Sequence, residues 1–215
     1  DSDDPTGPSF EWVELEGVGT PIGFTGDDQS LGPFPLGFEF PFYGTSFTGM
    51  RVSSNGFLSF TSAATGFSNQ PLPTGGTSHP ENLIAPFWDD LAFTGGGQAW
   101  YHNDGTRLVV EWKAVRHSSV GGPYTFEALL YPNGKIVFQY LGLQAPLNSA
   151  TVGIQDGSRT TGLEVAFNAP YLHDGLAVQF IPLAQGLHVS PSAGRVVSGD
   201  SATVTVHYDA AGLAD

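Results

Sequence analysis

The sequence lacks cysteine altogether and holds few cations. Without cysteine, the chain of 215 residues has no disulfide bond, no zinc–thiolate site and no thiol nucleophile. Its 7 Lys and Arg residues stand against 21 Asp and Glu residues, which gives a formal net charge of -14. The basic residues are scattered, so a phosphate backbone would be repelled. Nucleic acid is therefore excluded as a partner, whereas secretion is not, because exported proteins often avoid cysteine.

Long apolar runs are also missing. No stretch approaches the roughly 20 apolar residues that a membrane-spanning helix needs, so we expect no membrane span. Apolar residues do not recur at helical spacing over three turns either, which argues against amphipathic helices. The start of the sequence, Asp1–Asp4, is typical of a processed terminus rather than of a signal peptide. We therefore expect a secreted, extracellular chain that is built from strands.

Turn-forming and aromatic residues are abundant instead. The chain contains 29 Gly and 16 Pro together with 16 Phe and 7 Tyr, which is typical of a turn-rich protein with a large apolar core. Alternating apolar residues flank Asn55-Gly56, Asn103–Gly105 and Asn133-Gly134, and each of these turns predicts a β-hairpin. Three further strands are predicted at residues 150–154, 163–167 and 176–181.

Two segments indicate how the strands pack. Leu108, Val110 and Trp112 share one face of a strand whose other face is mixed, which is typical of a half-buried strand with one side in solvent. The Pro-rich segment 33–44 lacks the N–H donors of a central strand and is predicted at a sheet edge. Many short strands bury their faces best as two packed sheets. The predicted fold is all-β, a two-sheet antiparallel sandwich of jelly-roll type with a C-terminal extension strand; a closed barrel is the alternative.

A family resemblance rests on Phe38–Gly44, Val52–Phe60 and Ala85–Leu91. In their order along the chain and in their residues, these segments resemble the nidogen-like extracellular β domains. A closer likeness is to modules of large secreted bacterial proteins, some beside subtilisin-like peptidases and some ahead of surface-anchor regions, in which Asn168–Leu176 would close the module. The resemblance covers residues 10–181 and implies an extracellular, adhesive or accessory part. It implies little about activity, because a fold does not define a function.

The sequence motifs change in the C-terminal part of the chain. From Leu187 onward it resembles the opening of a bacterial immunoglobulin-like repeat, so we expect a body at 1–184 and an extension at 185–215. A sandwich of that type needs about 100 residues, and the extension cannot form one alone. The last strand of the extension has one apolar face, which is formed by Ala202, Val204, Val206 and Tyr208.

This apolar face must be buried against another part of the protein or another chain. Three partners are possible: the body of the same chain, the remainder of a longer repeat, or a groove on a neighbouring copy. The third is strand donation, in which backbone pairing and pockets for alternate side chains join two chains. A head-to-tail contact that does not close a ring then yields a filament. The predicted partners are therefore further copies of the chain or neighbouring domains of a longer surface protein.

Catalytic patterns are weak. Gly44–Ser46 and Gly76–Ser78 each echo the nucleophile tripeptide of subtilisin-like proteases, but neither precedes a helix-forming segment, and both are interpreted as turns. The histidines do not occur at the spacing of a zinc-binding helix. Adjacent carboxylates on a strand point to opposite faces and do not form a glycosidase pair. We predict no enzymatic activity.

Calcium is the one cofactor that the acidic residues favour, because it prefers oxygen ligands from aspartates and loop carbonyls. Asp89 and Asp90 are the first predicted ligands, and Asp27 and Asp28 are the second. The alternative is that these residues form solvated turns, since the sequence has no ligand series of the EF-hand type.

Trp12 and Trp100 are the candidate residues for binding a ligand. Tryptophan faces stack on sugar rings, and the other two tryptophans, Trp88 and Trp112, occur in apolar patterns that place them in the core. The predicted function is that of a non-catalytic extracellular structural or adhesive module, a filament subunit joined by C-terminal strand donation. The alternative is an accessory ligand- or carbohydrate-binding module of a secreted hydrolase.

Overall fold

The computed structural model describes residues 1–182, 187–190, 203 and 205–208. Its contacts divide the chain into two units, a body of Asp1–Phe180 and a C-terminal extension of Ile181–Asp215. The division lies slightly before the boundary at residue 184 that the sequence predicts. The described part consists of strands, turns and loops, so none of it is a helix able to cross a membrane.

The strands that the structure describes are, in chain order, β1 (Thr20–Pro21), β2 (Ser30–Phe42), β3 (Thr45–Ser53), β4 (Leu58–Ser59), β5 (Leu83–Trp88), β6 (Leu91–Ala92), β7 (Gln98–Asn103), β8 (Leu108–His117), β9 (Tyr124–Leu130), β10 (Ile136–Leu143), β11 (Thr151–Gln155), β12 (Gly162–Phe167), β13 (Ala177–Phe180), β14 (Leu187–Ser190) and β15 (Thr205–Tyr208). The three strands that the sequence predicts after residue 150 correspond to β11, β12 and β13.

Two antiparallel sheets form the body. Sheet A has the strand order β1-β7-β8-β9-β10-β13, with β6 paired to the end of β8, and sheet B has the order β12-β11-β5-β4-β3-β2. The sheets pack face to face, and the ring of Phe87 in sheet B stacks on Phe126 in sheet A with centroids 5.2 Å apart. The predicted two-sheet sandwich is confirmed. The closed alternative is wrong, because each sheet keeps its own edge strands.

The three predicted hairpins are present. Asn133-Gly134 joins β9 to β10, Asn103–Gly105 joins β7 to β8, and Asn55-Gly56 joins β3 to β4. In the last turn, Gly56 has a φ of 73°. A Cβ atom at this position would lie 1.9 Å from the carbonyl oxygen of Phe87, so the turn requires glycine for both its conformation and its close approach to β5.

The Pro-rich segment forms an edge strand, as predicted. Strand β2 is the last strand of sheet B and pairs with β3 alone, and its register shifts between Leu31 and Phe34 and again between Pro35 and Phe40. Proline cannot donate to a ladder, so an edge position with an interrupted register suits this sequence. Leu36 and Phe40 are fully buried and join the core between the sheets.

Trp88 and Trp112 are both fully buried, as predicted, but they lie in different layers. Trp112 lies between the sheets, where it stacks on Phe126 at 5.1 Å and donates its indole N–H to the carbonyl oxygen of Ser53 (3.1 Å). Trp88 lies on the outer face of sheet B against Phe57. The body therefore has apolar clusters outside the sandwich interior as well as within it.

Both outer faces are covered by segments without regular secondary structure. The prediction that β8 has one side in solvent is wrong, because Val109 and Glu111 on that side are both 0% exposed. Residues 8–16, the N-terminal strap, cross the outer face of sheet A, where Leu15 joins an apolar cluster with Val109. Residues 61–82, the sheet B cover, place Leu72 in the cluster around Trp88. Strand periodicity shows which face is mixed but not what lies over it.

Candidate functional site

Two loops bring three acidic residues together. Asp27 and Asp28 lie in the loop before β2, and Asp90 follows β5. Each contributes a carboxylate oxygen to a group in which these atoms lie within 4.8 Å of one another. Asp27 and Asp28 are exposed and Asp90 is half-buried. Three of the four aspartates that the sequence predicts as calcium ligands are therefore neighbours.

Asn55 holds the two acidic loops in place. Its fully buried side chain donates from Nδ2 to Oδ1 of Asp28 (2.8 Å) and to the carbonyl oxygen of Thr65 (2.9 Å). Its Oδ1 accepts the backbone N–H of Leu91 (2.8 Å), next to Asp90. Sequence reasoning identified Asn55 only as a turn residue and missed this role, because a turn motif does not show whether its side chain is buried.

Asp89 is turned away from the acidic group and into the protein. The residue is 3% exposed. Its Oδ2 accepts the hydroxyl of Ser149 (2.6 Å), and its Oδ1 accepts the backbone N–H of Asp90 (2.9 Å) and lies 3.6 Å from Nε2 of His117. The leading ligand predicted from the sequence thus has its own protein partners, apart from the other three carboxylates.

The acidic group carries concentrated negative charge. Among the described residues, no lysine or arginine forms an ion pair with Asp27, Asp28 or Asp90. Although Asp27 is exposed as a whole, burial of its carboxyl group raises its pKa; the charges of Asp28 and Asp90 act in the same direction, and the N–H of Asp28 and nearby His117 oppose them. Oxygen ligands and unbalanced negative charge suit Ca²⁺. Calcium binding stays a prediction.

A serine, a histidine and an aspartate form a row next to this group. Oγ of Ser119 lies 3.0 Å from Nδ1 of His117, whose Nε2 faces Asp89. In serine hydrolases the backbone N–H of the nucleophile helps to form the oxyanion hole. Here the N–H of Ser119 points at Nδ1 of His117 instead (3.1 Å). The contact is that of a local turn that fixes His117 against Asp89.

The two serines of the subtilisin-like tripeptides lie elsewhere. Ser46 is exposed at the start of β3, and Ser78 is exposed in a turn of the sheet B cover. Neither hydroxyl has a hydrogen bond to a histidine within the described contacts. A nucleophile elbow requires a strand-to-helix turn, and the described part of the chain contains no helix. The interpretation of both as turn residues fits Ser78, whereas Ser46 lies in β3.

The structure buries the two candidate sugar-binding tryptophans to different extents. Trp100 is 6% exposed beneath the N-terminal strap, which leaves no face of its ring free for a sugar. Trp12 belongs to the strap and is half-buried, and its ring stacks on Phe10 with centroids 6.5 Å apart. Its indole nitrogen is buried without a hydrogen-bond partner in the described structure. Sugar binding at Trp12 stays a prediction.

A row of three polar side chains fastens the N-terminal strap to sheet A. The backbone N–H groups of Glu11, Val13 and Leu15 donate to the side chains of three successive strands: Oε1 of Gln139 on β10, Oε1 of Glu127 on β9 (3.2 Å) and Oε2 of Glu111 on β8 (2.9 Å). The three acceptors are directly opposite one another in the ladder. They meet the requirement of a buried backbone for hydrogen-bond partners.

The two carboxyl groups in this row are unusual. Glu111 and Glu127 are both 0% exposed, and Oε1 of Glu111 and Oε2 of Glu127 have no partner in the described structure. Burial raises the pKa of Glu127 to about 8 and that of Glu111 to about 7. The sequence holds a signal for the pairing, since the Asn133-Gly134 hairpin sets Glu127 opposite Gln139, but it holds none for the strap above them.

A pocket of about 180 Å³ lies beside the strap on the outer face of sheet A. The ammonium group of Lys135 lies 3.8 Å from the ring centre of Tyr131, and Arg107 donates to the Tyr131 hydroxyl (3.1 Å) while pairing with Asp104. The pocket thus combines an aromatic ring, cations and amides. Its lining consists of Pro8, Ser9, Glu11, Arg107, Leu129, Tyr131, Lys135, Val137, Gln139 and Gln179.

The C-terminal extension contains a two-stranded antiparallel ribbon. β14 pairs with β15, with Val189 opposite Val206 and Leu187 opposite Tyr208. Thr203 and Thr205, on the face that the sequence predicts to be polar, are exposed. Of the four predicted donor residues, Val206 and Tyr208 lie in β15, whereas Ala202 and Val204 lie outside the described residues. The predicted strand therefore has one backbone partner, within the extension itself.

Comparison with known proteins adds a family. A family model described as NIDO related matches residues 6–198. This range is wider than the resemblance at 10–181 that the sequence motifs indicate, and it includes β14. No solved structure matches the chain.

Proposed function

The chain belongs to the NIDO-related family, and we propose that it is a structural or adhesive module that joins further copies of itself at a cell surface through its C-terminal strand. Family membership and the two-sheet sandwich fit an extracellular, non-catalytic module. The finer role, assembly by strand donation, is the proposal. Bacterial origin and an immunoglobulin-like repeat beyond residue 187 are part of the same prediction.

The observation that carries the proposal is the two-stranded sheet of β14 and β15. Within the described residues, these strands pair only with each other, and each has one edge without a described backbone partner. A two-stranded hairpin is marginally stable alone in water, and an unpaired edge is a template for another strand. The ribbon therefore gains stability when its free edge or its apolar face meets another sheet.

The body offers edges that can receive such a strand. β12 ends sheet B, and its Leu163 is 57% exposed. β2 ends the same sheet on the other side, but its prolines and register shifts make it a poor acceptor. We expect β12 to be the receiving edge, because backbone pairing gives the affinity and exposed alternate side chains fit pockets on the partner strand.

Substitution at Val206 tests the proposal. Val206→Asp places a charge on the face of β15 that the sequence predicts to be apolar, whereas Thr205→Asp places the same charge at an exposed position of the same strand. We expect the wild type to associate in sedimentation velocity and to form regular fibres in negative-stain images. Val206→Asp should weaken this association by tenfold or more, about 1.4 kcal/mol, and Thr205→Asp should leave it close to the wild type.

A wild-type protein that stays monomeric at the highest attainable concentration would rule the proposal out. Equal association of the two variants would rule out β15 as the contact, because the charge would then be tolerated on either face. Leu163→Asp on β12 identifies the receiving edge and should weaken association as strongly as Val206→Asp.

A second candidate function, carbohydrate binding, is favoured by the pocket beside the strap. An aromatic ring, cations and amide side chains around one small cavity are the groups that orient a sugar and hydrogen-bond its hydroxyls. In this pocket the ring that would contact the sugar is that of Tyr131, and not that of Trp100 as the sequence predicts. Lys135 has no carboxylate partner among the described ion pairs, so its ammonium group is available to a ligand.

Binding to a glycan array, followed by titration calorimetry, tests this second function. Tyr131→Ala should abolish the signal of any glycan that binds here, and Tyr43→Ala should leave it unchanged, because Tyr43 is exposed on sheet B. Strong glycan binding that survives Tyr131→Ala would place the sugar elsewhere, and no binding across the array would remove the candidate.

A further inference from the structure

We propose that the N-terminal strap is a pH-responsive cover, seated firmly on sheet A in acid and released from it as the pH rises through neutrality. The inference does not depend on the assembly role. It rests on what the strap buries, which is a pair of carboxyl groups on adjacent strands, and on how few groups compensate their charge.

The surface of sheet A beneath the strap contains two glutamates at directly opposite positions of neighbouring strands, an arrangement that is unfavourable in a sheet. Glu111 and Glu127 are directly opposite each other on β8 and β9, and like charges in that relation are destabilising. The strap gives each carboxyl group one backbone N–H, from Leu15 and Val13. The other oxygen of each is buried and has no hydrogen-bond partner among the described residues, and a buried ionised group in that state is unfavourable.

The charged groups around the pair do not neutralise it. Around Glu111 these are Glu14 and Glu16 of the strap and Lys113 of β8. The ammonium group of Lys113 is already engaged by Glu14 (2.7 Å) and Glu16 (2.8 Å).

Around Glu127, β10 contributes the neutral amide of Gln139, which donates to Oε1 (2.7 Å). Arg107 is a more distant cation and pairs with Asp104. On the other side of Glu111, β7 places the apolar Trp100 opposite it. Among the described residues, an ionised Glu127 therefore has one neighbouring acid, Glu111, and no cation in contact.

The sign of the pH response follows from these environments. Burial raises the pKa of Glu127 to about 8 and that of Glu111 to about 7, from the ordinary value of 4.5 for a glutamate. With the strap lifted, both groups face water and lose their protons near that ordinary value. At a pH between 4.5 and these raised pKa values, the two carboxyl groups are protonated in the seated form and ionised in the lifted form. Rising pH therefore favours the lifted form.

The response has a defined window. The contribution of Glu111 and Glu127 to the hold of the strap is greatest below pH 4.5, weakens as the pH rises, and reaches its lower limit when Glu127 ionises near pH 8. Each carboxyl group changes the ratio of seated to lifted forms by up to about tenfold per pH unit inside this window.

Lifting the strap would uncover an apolar cluster. It contains Trp100, Val109, Leu129 and Val137, all buried in the seated form. In the lifted form these side chains would be accessible to solvent, where an apolar dye can bind them. The pair of glutamates thereby makes exposure of this cluster a function of pH.

Hydrogen exchange followed by mass spectrometry tests the proposal on the full chain. Peptides that cover residues 9–16 report the strap, and peptides that cover β5 report the sandwich core as an internal reference. After correction for the intrinsic exchange rate, we expect the protection of the strap to fall by about tenfold or more between roughly pH 5.5 and pH 7.5. Protection of β5 should not change, and binding of an apolar dye should rise with the loss of strap protection.

The variant Glu111→Gln with Glu127→Gln removes the charges but keeps an acceptor for each strap N–H. Its strap protection should be independent of pH and its dye binding constant. Glu39→Gln, on sheet B, should behave like the wild type. Constant strap protection in the wild type, or an equal decrease in the double variant, would overturn the proposal. If the double variant does not fold, the proposal is decided by the strap protection of the wild type and of Glu39→Gln. Strap protection that does not change with pH in either protein would overturn the proposal.

Discussion

At the scale of single residues, buried polar side chains bind loop backbones in this protein. Asn55 binds the acidic loops, and Gln155 binds the sheet B cover. The side-chain amide of Gln139 binds the backbone of Glu11 in the strap twice: it accepts the N–H of Glu11 and donates to the carbonyl oxygen of Glu11. In each case a side chain replaces the partner that a loop backbone lacks when it leaves water. These residues determine where the loops lie, whereas the aromatic residues determine how the sheets pack.

Replacing Asn55 by alanine should destabilise the body more than any exposed turn substitution. The variant leaves the carboxylate of Asp28, the carbonyl of Thr65 and the N–H of Leu91 without their partner. We expect a loss of about 3 kcal/mol in urea unfolding, at about 1–3 kcal/mol for each buried group left unsatisfied. Asn133→Ala, in an exposed turn with one hydrogen bond to Lys135, is the control. A loss no larger than that of the control would contradict the role of Asn55.

The acidic group gives a prediction about calcium. If Asp27, Asp28 and Asp90 bind the ion, saturating calcium should raise the melting temperature by roughly 5–10 °C, the effect of about 2.7 kcal/mol at a hundredfold excess over Kd. The double variant Asp28→Asn with Asp90→Asn should lose this response. It should be more stable than the wild type in chelator, because like charges have been removed. Glu39→Gln serves as control, and a wild-type melting temperature that neither calcium nor chelator moves would exclude the site.

At the scale of elements, the parts of the fold that local chemistry determines were predictable. Each Asn-Gly turn joins its two flanking strands, because only a few residue types tolerate the backbone angles of a tight hairpin. The edge position of β2 follows from its prolines. The inward face of β8 follows from its alternation, and Val110 and Trp112 are both fully buried in the core.

The covers were not predictable, because the signals that place them are distant in sequence. Glu111 and Val109 alternate with core residues as an exposed face would. The segment that buries them forms no strand and is fixed by hydrogen bonds to side chains 96 to 128 residues further along the sequence. The acidic group has the same origin: its members are visible in the sequence, but their proximity depends on the buried side chain of Asn55.

The sheet B cover should detach when its main anchor is removed. Gln155 accepts the N–H of Thr74 (2.9 Å) and donates to the carbonyl oxygen of Pro80 (2.7 Å), so it fixes the cover at two points. Gln155→Ala should make residues 61–82 the first site of limited proteolysis while the sheets remain folded. Gln144→Ala, at an exposed position, should not. Unchanged proteolysis in Gln155→Ala would show that the other contacts of the cover hold it, among them the hydrogen bonds from the N–H of Leu72 to Glu164 and from Asn69 to the carbonyl oxygen of Ser149.

At the scale of the whole molecule, charge opposes association. A net charge of -14 with only 7 basic residues makes any two copies repel each other. Assembly through β15 therefore has to overcome this repulsion with backbone pairing and apolar contact, both of which act at short range.

Salt should therefore promote assembly. Raising the ionic strength from roughly 10 mM to roughly 150 mM shortens the screening length from about 30 Å to about 8 Å. We expect the association constant in sedimentation equilibrium to rise over this range. A constant that falls with added salt would indicate an interface held by complementary charges, which contradicts a contact through the apolar face of β15.

The position of the strap also has a consequence for how the chain folds. The amide of Glu11 binds a side chain 128 residues further along the sequence. The strap is synthesised before β8, β9 and β10, yet its seat exists only after these strands have formed. Long loop closures of this kind slow folding. A nascent chain that ends before Gln139 therefore leaves the N–H of Glu11 without its partner, and the strap can be fully seated on sheet A only after β10 has been made.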